Sequence, residues 1–452
     1  MKDQQELLAI ARKVAEAARS GEEVEAYVSA SQGTDVRVYD GDVEHLVAAG
    51  SEGIGVRVVV DHRQGFAWAG SLDPDVIEST LQDARDNAQF AEPDEWQGVT
   101  RPDEVEGVAV PELDLWREDL LAVATDAKVA FALELEAVTK AGDPRVKLVE
   151  AAEYGDGAGA AAIANSLGVE AVARRTVASC TASIIASEGE DQQTGYGFSV
   201  GRTFTDLEPL KASSDAIMRA TRLLGARQTA SRRIPVVFDP MVSASLISLV
   251  AAACNGESVL KGRTMFADRL GERVAAEMVT LVDDPTIADA YGAATHDSEG
   301  VPTRRTELVI DGVCNTFLQN VYTGRRSGRG TTGSGVRGIG STPGVGSRAL
   351  TLAPGAQTPQ ELRSSVPEAL YVQSLSGLHS GTNIVSGDFS VGATGLMVRN
   401  GEFAEPVREV TIASTLPRML LDVLAVGSDV TWLPGGAAGV TLLVDGMTLS
   451  GS

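Results

Sequence analysis

Helical and alternating hydrophobic patterns occur in the same order twice within the first half of this 452-residue chain. Apolar residues recur at helical spacing over residues 7–18, and alternating runs typical of strands follow. Asp73 and Pro74 then predict a helix to about Phe90, because aspartate caps a helix and proline fits its first turn. The order helix, strands, helix predicts an α+β unit over residues 1–92.

A second unit of the same order is predicted over residues 112–228. Asp114 is expected to cap a long helix that extends through Lys140. The following strands cover 146–154, 159–164 and 171–186, and a closing helix covers 207–224. The repeated order fits either an internal duplication or a common α+β arrangement. The acidic, proline-containing stretch 91–111 is expected to be a linker or a surface crossing between the units.

The third unit, residues 233–452, is predicted to be rich in strands. A short apolar run precedes Asp239 and Pro240, which begin an apolar helix through Cys254. Later strands are separated by hairpin turns at Asp311-Gly312 and Asn400-Gly401. Two short helices are predicted over 359–365 and 416–424, and Thr358 and Glu361 have the spacing of a capping box at the start of the first. The chain is therefore predicted to be a multidomain α+β protein with helix-plus-strand N-terminal units and a C-terminal domain containing a large mixed or antiparallel sheet.

The charge of the chain limits its partners. Its 62 acidic and 38 basic residues give a formal charge of −24, which would repel a phosphate backbone. No uninterrupted apolar stretch reaches the roughly 18 residues of a membrane span. The three cysteines lie far apart, which is typical of a reducing compartment. We expect a cytoplasmic protein that binds neither nucleic acid nor membranes.

The histidines do not form a zinc motif. A zinc peptidase usually carries two histidines on one helix with a glutamate between them as general base. The four histidines here are widely separated, and none lies in a predicted helix; they are His45, His62, His296 and His379. We therefore assign no metal ligand and no catalytic residue to this chain.

The segment around His379 is the most polar candidate for a site. Small polar residues surround the histidine, including Ser380, Thr382 and Asn383. One interpretation is a Ser/His/Asp relay, in which the imidazole takes a hydroxyl proton. The other, which we favour because no nucleophile-elbow motif is present, is a wall that contacts substrate.

Residues 323–340 combine four arginines with seven glycines. This composition is typical of a loop, because it is too flexible and polar for a core. The loop is either a solvated connector or a lid or docking arm for an acidic peptide or partner chain.

The chain resembles the TldD/TldE (PmbA) family over nearly its whole length. The resemblance is carried by six ordered blocks: Val282-Asp-Asp-Pro-Thr-Ile, Asp297-Ser-Glu-Gly-Val-Pro-Thr, Thr358-Pro-Gln-Glu-Leu, Asn383-Ile-Val-Ser-Gly-Asp-Phe, Val398-Arg-Asn-Gly-Glu and Pro406-Val-Arg-Glu-Val-Thr-Ile. It implies a cytoplasmic two-subunit zinc peptidase, in which the TldD-type subunit binds the metal through His-Glu-x-x-x-His on a helix and a later cysteine. At the corresponding positions, within a residue, this chain has Ile247, Ser248 and Ala252.

The resemblance therefore implies the TldE-type subunit, which lacks the metal ligands. We expect a TldD-like partner that holds the zinc, in a heterodimer or larger assembly, and peptide substrates received at the wall around His379. Two alternatives remain open. In the first, the chain is a metal-independent hydrolase that uses His379 with a nearby serine. In the second, it is a homodimeric peptide-binding module without catalysis.

Overall fold

The computed structural model describes residues 1–451. Its helices are α1 Gln4–Glu16, α2 Pro74–Phe90, α3 Pro102–Val105, α4 Glu118–Leu121, α5 Thr125–Ala141, α6 Pro209–Thr221, α7 Pro240–Ala253, α8 Gly256–Leu260, α9 Val321–Ser327, α10 Pro359–Ser364, α11 Leu378–Gly381 and α12 Leu416–Leu421, with a 3-10 helix at Phe204–Asp206. Its strands are β1 Glu22–Tyr39, β2 Asp42–Val60, β3 Arg63–Ala69, β4 Val146–Asn165, β5 Glu170–Glu188, β6 Asp191–Gly201, β7 Arg232–Phe238, β8 Leu281–Asp283, β9 Thr306–Ile310, β10 Val313–Cys314, β11 Gly335–Val336, β12 Gly344–Val345, β13 Leu350–Leu352, β14 Glu368–Ser376, β15 Asp388–Arg399, β16 Glu402–Thr415, β17 Val423–Val426, β18 Thr431–Trp432, β19 Ala438–Gly439 and β20 Leu442–Ser450.

The N-terminal half is built on one antiparallel sheet in the order β3-β2-β1-β4-β5-β6. Pairing of β1 with β4 joins the strands of the first two predicted units into this single sheet. Helices α1 and α2 pack on one end, and α5 and α6 pack on the other. Even-numbered residues of β1 contribute to the two helix-covered cores: Val28 belongs to the core under α1 and α2, and Val36 belongs to the core under α5 and α6. Because successive side chains of a strand alternate between faces, odd-numbered residues such as Tyr27 point to the opposite face.

The C-terminal half contains a mixed sheet in the order β16-β15-β14-β7-β20-β17, in which β14 and β7 run parallel. Strand β16 also pairs with β20, so five of the strands close into a barrel-like ring. A smaller sheet, β10-β9-β8-β13, shares a large apolar core with this ring and with α7. The structure confirms the α+β class with helix-plus-strand N-terminal units and a large mixed sheet in the C-terminal half.

Local capping signals predicted several elements correctly. Helix α2 begins at Pro74 and α7 begins at Pro240, as expected from the preceding aspartates. The capping box of Thr358 and Glu361 is present at α10. These signals succeed because they depend on contacts within a few residues.

Other expectations about the second unit were wrong. Asp114 caps no helix, because α4 and α5 are separate helices and α5 begins after Ala124. The runs predicted as two strands before residue 165 form the single strand β4. Glycine and alanine interrupt the alternating pattern there without breaking the ladder, since residues 151–164 are all paired with β5.

The prediction of a free loop at residues 323–340 was also wrong. The segment contains α9 and β11, and Arg337 has a side chain only 1% exposed. The backbone of Ile339 lies so close to Gly55 of β2 that a Cβ at that glycine would collide with the Ile339 carbonyl oxygen. The segment is therefore packed across the N-terminal sheet instead of projecting into solvent.

The stretch between the first two predicted units is packed as well. Val99 and Thr100 are completely buried, and the Thr100 hydroxyl donates to the backbone oxygen of Glu299 at 2.7 Å. The Arg325 guanidinium pairs with Glu104 at 2.7 Å. The two halves of the molecule are thus joined through residues that the sequence places in a linker and a loop.

Candidate functional site

Helix α7 carries the three positions at which the resemblance implies metal ligands in a TldD-type subunit. Ile247 is buried and lines a small apolar cavity of about 40 Å³. Ser248 and Ala252 are exposed one turn apart on the outer surface of the helix. The Ser248 hydroxyl donates to the backbone oxygen of Ala244 at 2.7 Å. The exposed pair therefore presents one hydroxyl, already hydrogen-bonded, and no imidazole or carboxylate.

The position of α7 is fixed by contacts at the first turn of the helix. Asp239 caps α7 by accepting from the backbone N–H of Met241 at 2.9 Å. The same carboxylate accepts from Arg219 at 2.8 Å and from the Tyr371 hydroxyl at 2.5 Å. The helix is thus anchored to α6 and β14 before its apolar residues enter the core.

The cysteines are unsuited to bind a metal or to act as nucleophiles. All three are buried, and residues 1–451 contain no group of three or more His, Cys, Asp or Glu residues arranged to hold a metal. Burial raises the pKa of Cys180 and of Cys314 to about 11, and it raises the pKa of Cys254 well above its usual value. A protonated, buried thiol is a poor ligand and a poor nucleophile. The absence of zinc from this chain remains a prediction.

The residues predicted around His379 lie together on and just after α11, which follows β14. His379, Ser380 and Asn383 are exposed, and Thr382 is half-buried. The hydroxyls of Ser380 and Thr382 donate to the backbone oxygens of Gly377 and Leu378, at 3.2 and 2.7 Å.

Asn383 likewise makes local contacts, since its side-chain oxygen accepts from the backbone N–H of Val385 at 2.8 Å. Within residues 1–451, no hydroxyl or carboxylate is hydrogen-bonded to the His379 imidazole. The polar side chains therefore shape a turn, and a relay through His379 has no support in this geometry. A substrate-lining role for the four residues remains a prediction.

A cluster of buried charges joins the N-terminal sheet to the C-terminal half. Arg57 of β2 pairs with Glu25 of β1 at 3.0 Å, and Arg337 approaches the same carboxylate at 2.8 Å. Glu299 lies 3.9 Å from Arg57, and its other oxygen accepts from the backbone N–H of Val321 at 2.8 Å. Sequence reasoning missed this cluster, although Glu299 lies in one of the six quoted blocks.

The two acidic residues on the C-terminal side of this cluster bind protons unusually tightly. Burial, together with the nearby Asp297 carboxylate, raises the pKa of Glu299 to about 8. Burial also raises the pKa of Asp297, although three backbone N–H groups, those of Glu299, Val301 and Gly335, donate to it. Burial opposes ionisation of Glu25 too, but Arg337 and Arg57 hold its pKa below the usual value.

Beside the cluster lies a partly open cavity of about 470 Å³ between the two halves. Tyr27 and Ser29 line it from the uncovered face of the N-terminal sheet, and Ala293 to Ser298 line it from the C-terminal half. Four arginines also line the cavity: Arg174, Arg175, Arg337 and Arg348. The adjacent pair at 174 and 175, and the quoted block that contains Asp297 and Ser298, were signals of this cavity in the sequence.

Comparison with known protein families agrees with this architecture. Three consecutive family models match the chain: PmbA/TldA metallopeptidase domain 1 over residues 24–88, the central domain over 118–224 and the C-terminal domain over 231–451. Together they cover most of the sequence. The chain belongs to the PmbA/TldD family.

Members of the PmbA/TldD family resemble the chain over its whole length. Metalloprotease PmbA of Escherichia coli O157:H7 is 28% identical, with 94% of this chain and 91% of that protein covered. A crystal structure from Bacteroides thetaiotaomicron VPI-5482, described as a proposed modulator of DNA gyrase, is 25% identical with a TM-score of 0.89, and both chains are covered completely. TldE from Thermococcus kodakarensis is 21% identical with a TM-score of 0.85 and 99% of each chain covered, which shows a shared fold.

None of the helices within residues 1–451 combines the length and the apolar character needed to cross a membrane.

Proposed function

We propose that this chain is the subunit without zinc in a cytosolic metallopeptidase complex of the TldD/TldE type, which processes or degrades peptides and unfolded segments. The proposal rests on the residues at the outer surface of α7. Ser248 and Ala252 stand there, and between them they offer a metal one hydroxyl, although zinc prefers imidazole, thiolate and carboxylate ligands. The partner is a TldD-like chain that supplies zinc, in a heterodimer or a larger assembly.

The chemistry of peptide hydrolysis supports this division of labour. Cleavage of an amide needs a polarised carbonyl or an activated water, together with a general base. Helix α7 offers no general base at Ile247, Ser248 or Ala252, and the buried cysteines remain thiols at neutral pH. We therefore assign the chemical step to the partner, and substrate positioning to the turn around His379.

The outer half of β2 supports assembly with another chain. Residues 42–51 are exposed, and β3 pairs only with Ile54–Val60. Within residues 1–451, no strand pairs with the open side of β2 between residues 42 and 53. Val43 and Leu46 are exposed on this edge by 41% and 43%. An exposed strand edge with apolar side chains favours strand addition by another chain.

The first test measures zinc and peptide cleavage. The chain is purified alone and together with a zinc-binding family member from the same genome, and each preparation is analysed for bound metal and for cleavage of unstructured peptides. We expect zinc only in the partner, and cleavage by the complex that a strong chelator abolishes. One tightly bound zinc in the lone chain, or chelator-resistant cleavage by it, would contradict the proposal; the latter would favour the metal-independent hydrolase.

The second test measures assembly by light scattering after size exclusion. Leu46→Lys places a charge on the open edge of β2 and should weaken association with the partner at least tenfold, since charged edge residues oppose strand pairing. Leu424→Lys is a matched control, because Leu424 is 45% exposed but lies in the C-terminal half. A stable homodimer that excludes the partner would favour the peptide-binding module instead.

A further inference from the structure

The cavity between the two halves concentrates positive charge in a chain whose formal charge is −24. Arg174 stacks on Trp116 with its guanidinium 5.0 Å from the ring centre, and Arg175 is exposed beside it. Arg348 enters from the opposite side of the cavity. Within residues 1–451, none of these three guanidinium groups has a carboxylate at ion-pair distance. The cavity therefore has an excess of cations over anions.

Buried hydrogen-bond donors in the cavity wall lack acceptors. The Arg337 guanidinium is buried and pairs with Glu25 through Nη2 at 2.8 Å, while its Nε and Nη1 make no hydrogen bond; the buried Nε of Arg348 also lacks a hydrogen-bond partner. The other end of Arg348 is fixed, since Nη2 donates to Ser298 Oγ at 3.1 Å and to the Gly335 backbone oxygen at 2.9 Å. A guanidinium fixed in this way is already oriented when an oxyanion arrives, and charge-assisted hydrogen bonds from arginine to a carboxylate or phosphate are strong.

The single carboxylate in the cavity wall does not neutralise these arginines. Asp297 already accepts three backbone N–H bonds, and it shares its buried surroundings with Glu299. Burial and the nearby Asp297 carboxylate raise the pKa of Glu299 to about 8, which reduces the negative charge beside the cavity at neutral pH. The positive excess is therefore greatest near and below neutral pH.

The remaining wall is apolar and narrow. It is formed mainly by small side chains, including Ala161, Ala173 and Ala293, with Leu115 and the ring of Tyr27. A volume of about 470 Å³ lies within the usual range for small-molecule sites, roughly 300 to 1,000 Å³. Such a wall fits a slim aliphatic body better than a bulky aromatic one.

From this geometry we infer that the cavity binds a small organic anion, in which a carboxylate or phosphate group contacts Arg348 and Arg175 and a short aliphatic portion lies against the alanine wall. This site is separate from the turn around His379 and from α7, and it does not depend on the proposed peptidase function. It assigns a ligand-binding role to the junction between the two halves.

The experiment is a calorimetric titration of the full-length chain with four probes that share one aliphatic length: hexanoate, hexyl phosphate, hexanol and hexylammonium. We expect saturable binding, one molecule per chain, for the two anions only, with affinity that falls as salt is added. Tighter binding of hexyl phosphate identifies the natural group as a phosphate, whereas tighter binding of hexanoate identifies it as a carboxylate. Equal binding of all four probes, or no saturable binding of either anion, would overturn the inference.

Two variants locate the site. Arg175→Gln removes an exposed cation, and Arg348→Gln removes a half-buried one; each should lower the affinity for the tighter anion about tenfold or more. Arg418→Gln serves as the control, because this exposed arginine lies far along the chain on α12 and does not line the cavity. If Arg348→Gln fails to fold, the exposed Arg175 variant still decides the question. Wild-type affinity in the folded variants would show that the anion binds elsewhere.

Discussion

Replacement of Glu299 by glutamine tests the buried charge cluster through the pH dependence of stability. One oxygen of Glu299 accepts from the backbone N–H of Val321, and the other has no hydrogen-bond partner. The glutamine side chain has nearly the same shape as that of glutamic acid and, like the protonated acid, carries no charge. The substitution therefore removes a titrating proton while it retains the contact with Val321.

The sign of the effect follows from the two pKa values. Glu299 has a pKa of about 8 in the folded chain, against an ordinary value of 4.5. Between these values the folded state holds a proton that the unfolded state has released, so the free energy of unfolding falls as pH rises. The stabilising contribution is complete below pH 4.5 and is lost by about pH 8. One proton changes stability by about 1.4 kcal/mol per pH unit, which amounts to on the order of 2 kcal/mol between about pH 6 and about 7.5.

Urea unfolding of wild type and Glu299→Gln, followed by circular dichroism at several pH values, measures this difference. We expect the variant to gain stability relative to wild type as pH rises, and the difference to level off above pH 8. Glu112→Gln, at an exposed position in the same chain, should track wild type at every pH. Parallel curves for wild type and Glu299→Gln would refute the assignment of the proton to this cluster.

Three further outcomes are expected. Gly55→Val should destabilise the chain by about 2 to 4 kcal/mol, because the new side chain meets the backbone of Ile339; unchanged urea midpoints would contradict this packing. Trypsin should spare the bond after Arg337 in the native chain, and its early appearance among fragments identified by mass spectrometry would show that the segment opens. Combining Ser248→His with Ala252→His places two imidazoles one turn apart on an exposed helix face, and calorimetry should detect zinc binding that each single variant lacks.

Sequence reasoning succeeded where the controlling contacts are local. Asp73 with Pro74 and Asp239 with Pro240 mark helix starts through interactions within one turn. The burial of Arg337 could not be predicted in this way, because its partner Glu25 lies in the first strand of the chain.

The same limit applies to the candidate sites. The predicted positions on α7 and around His379 each lie within one short segment, so sequence reasoning could propose them, and their roles remain predictions. The cavity was missed because its wall combines β1, β4 and β5 with residues near 296, 337 and 348. Only the pairing of distant segments makes it a site, and composition does not encode that pairing.

The insertion of Arg337 beside Glu25 also has a consequence for synthesis on the ribosome. All six strands of the N-terminal sheet have been made by Gly201, well before Arg337 is added. At roughly 5–20 residues per second, on the order of 10 seconds pass before Arg337 is added. During this time only Arg57 neutralises Glu25, and the face of the sheet that carries Tyr27 is uncovered. A chain whose synthesis ends in this interval has an unprotected, partly apolar face. The first half of the protein therefore reaches its native state only when residues translated much later are added.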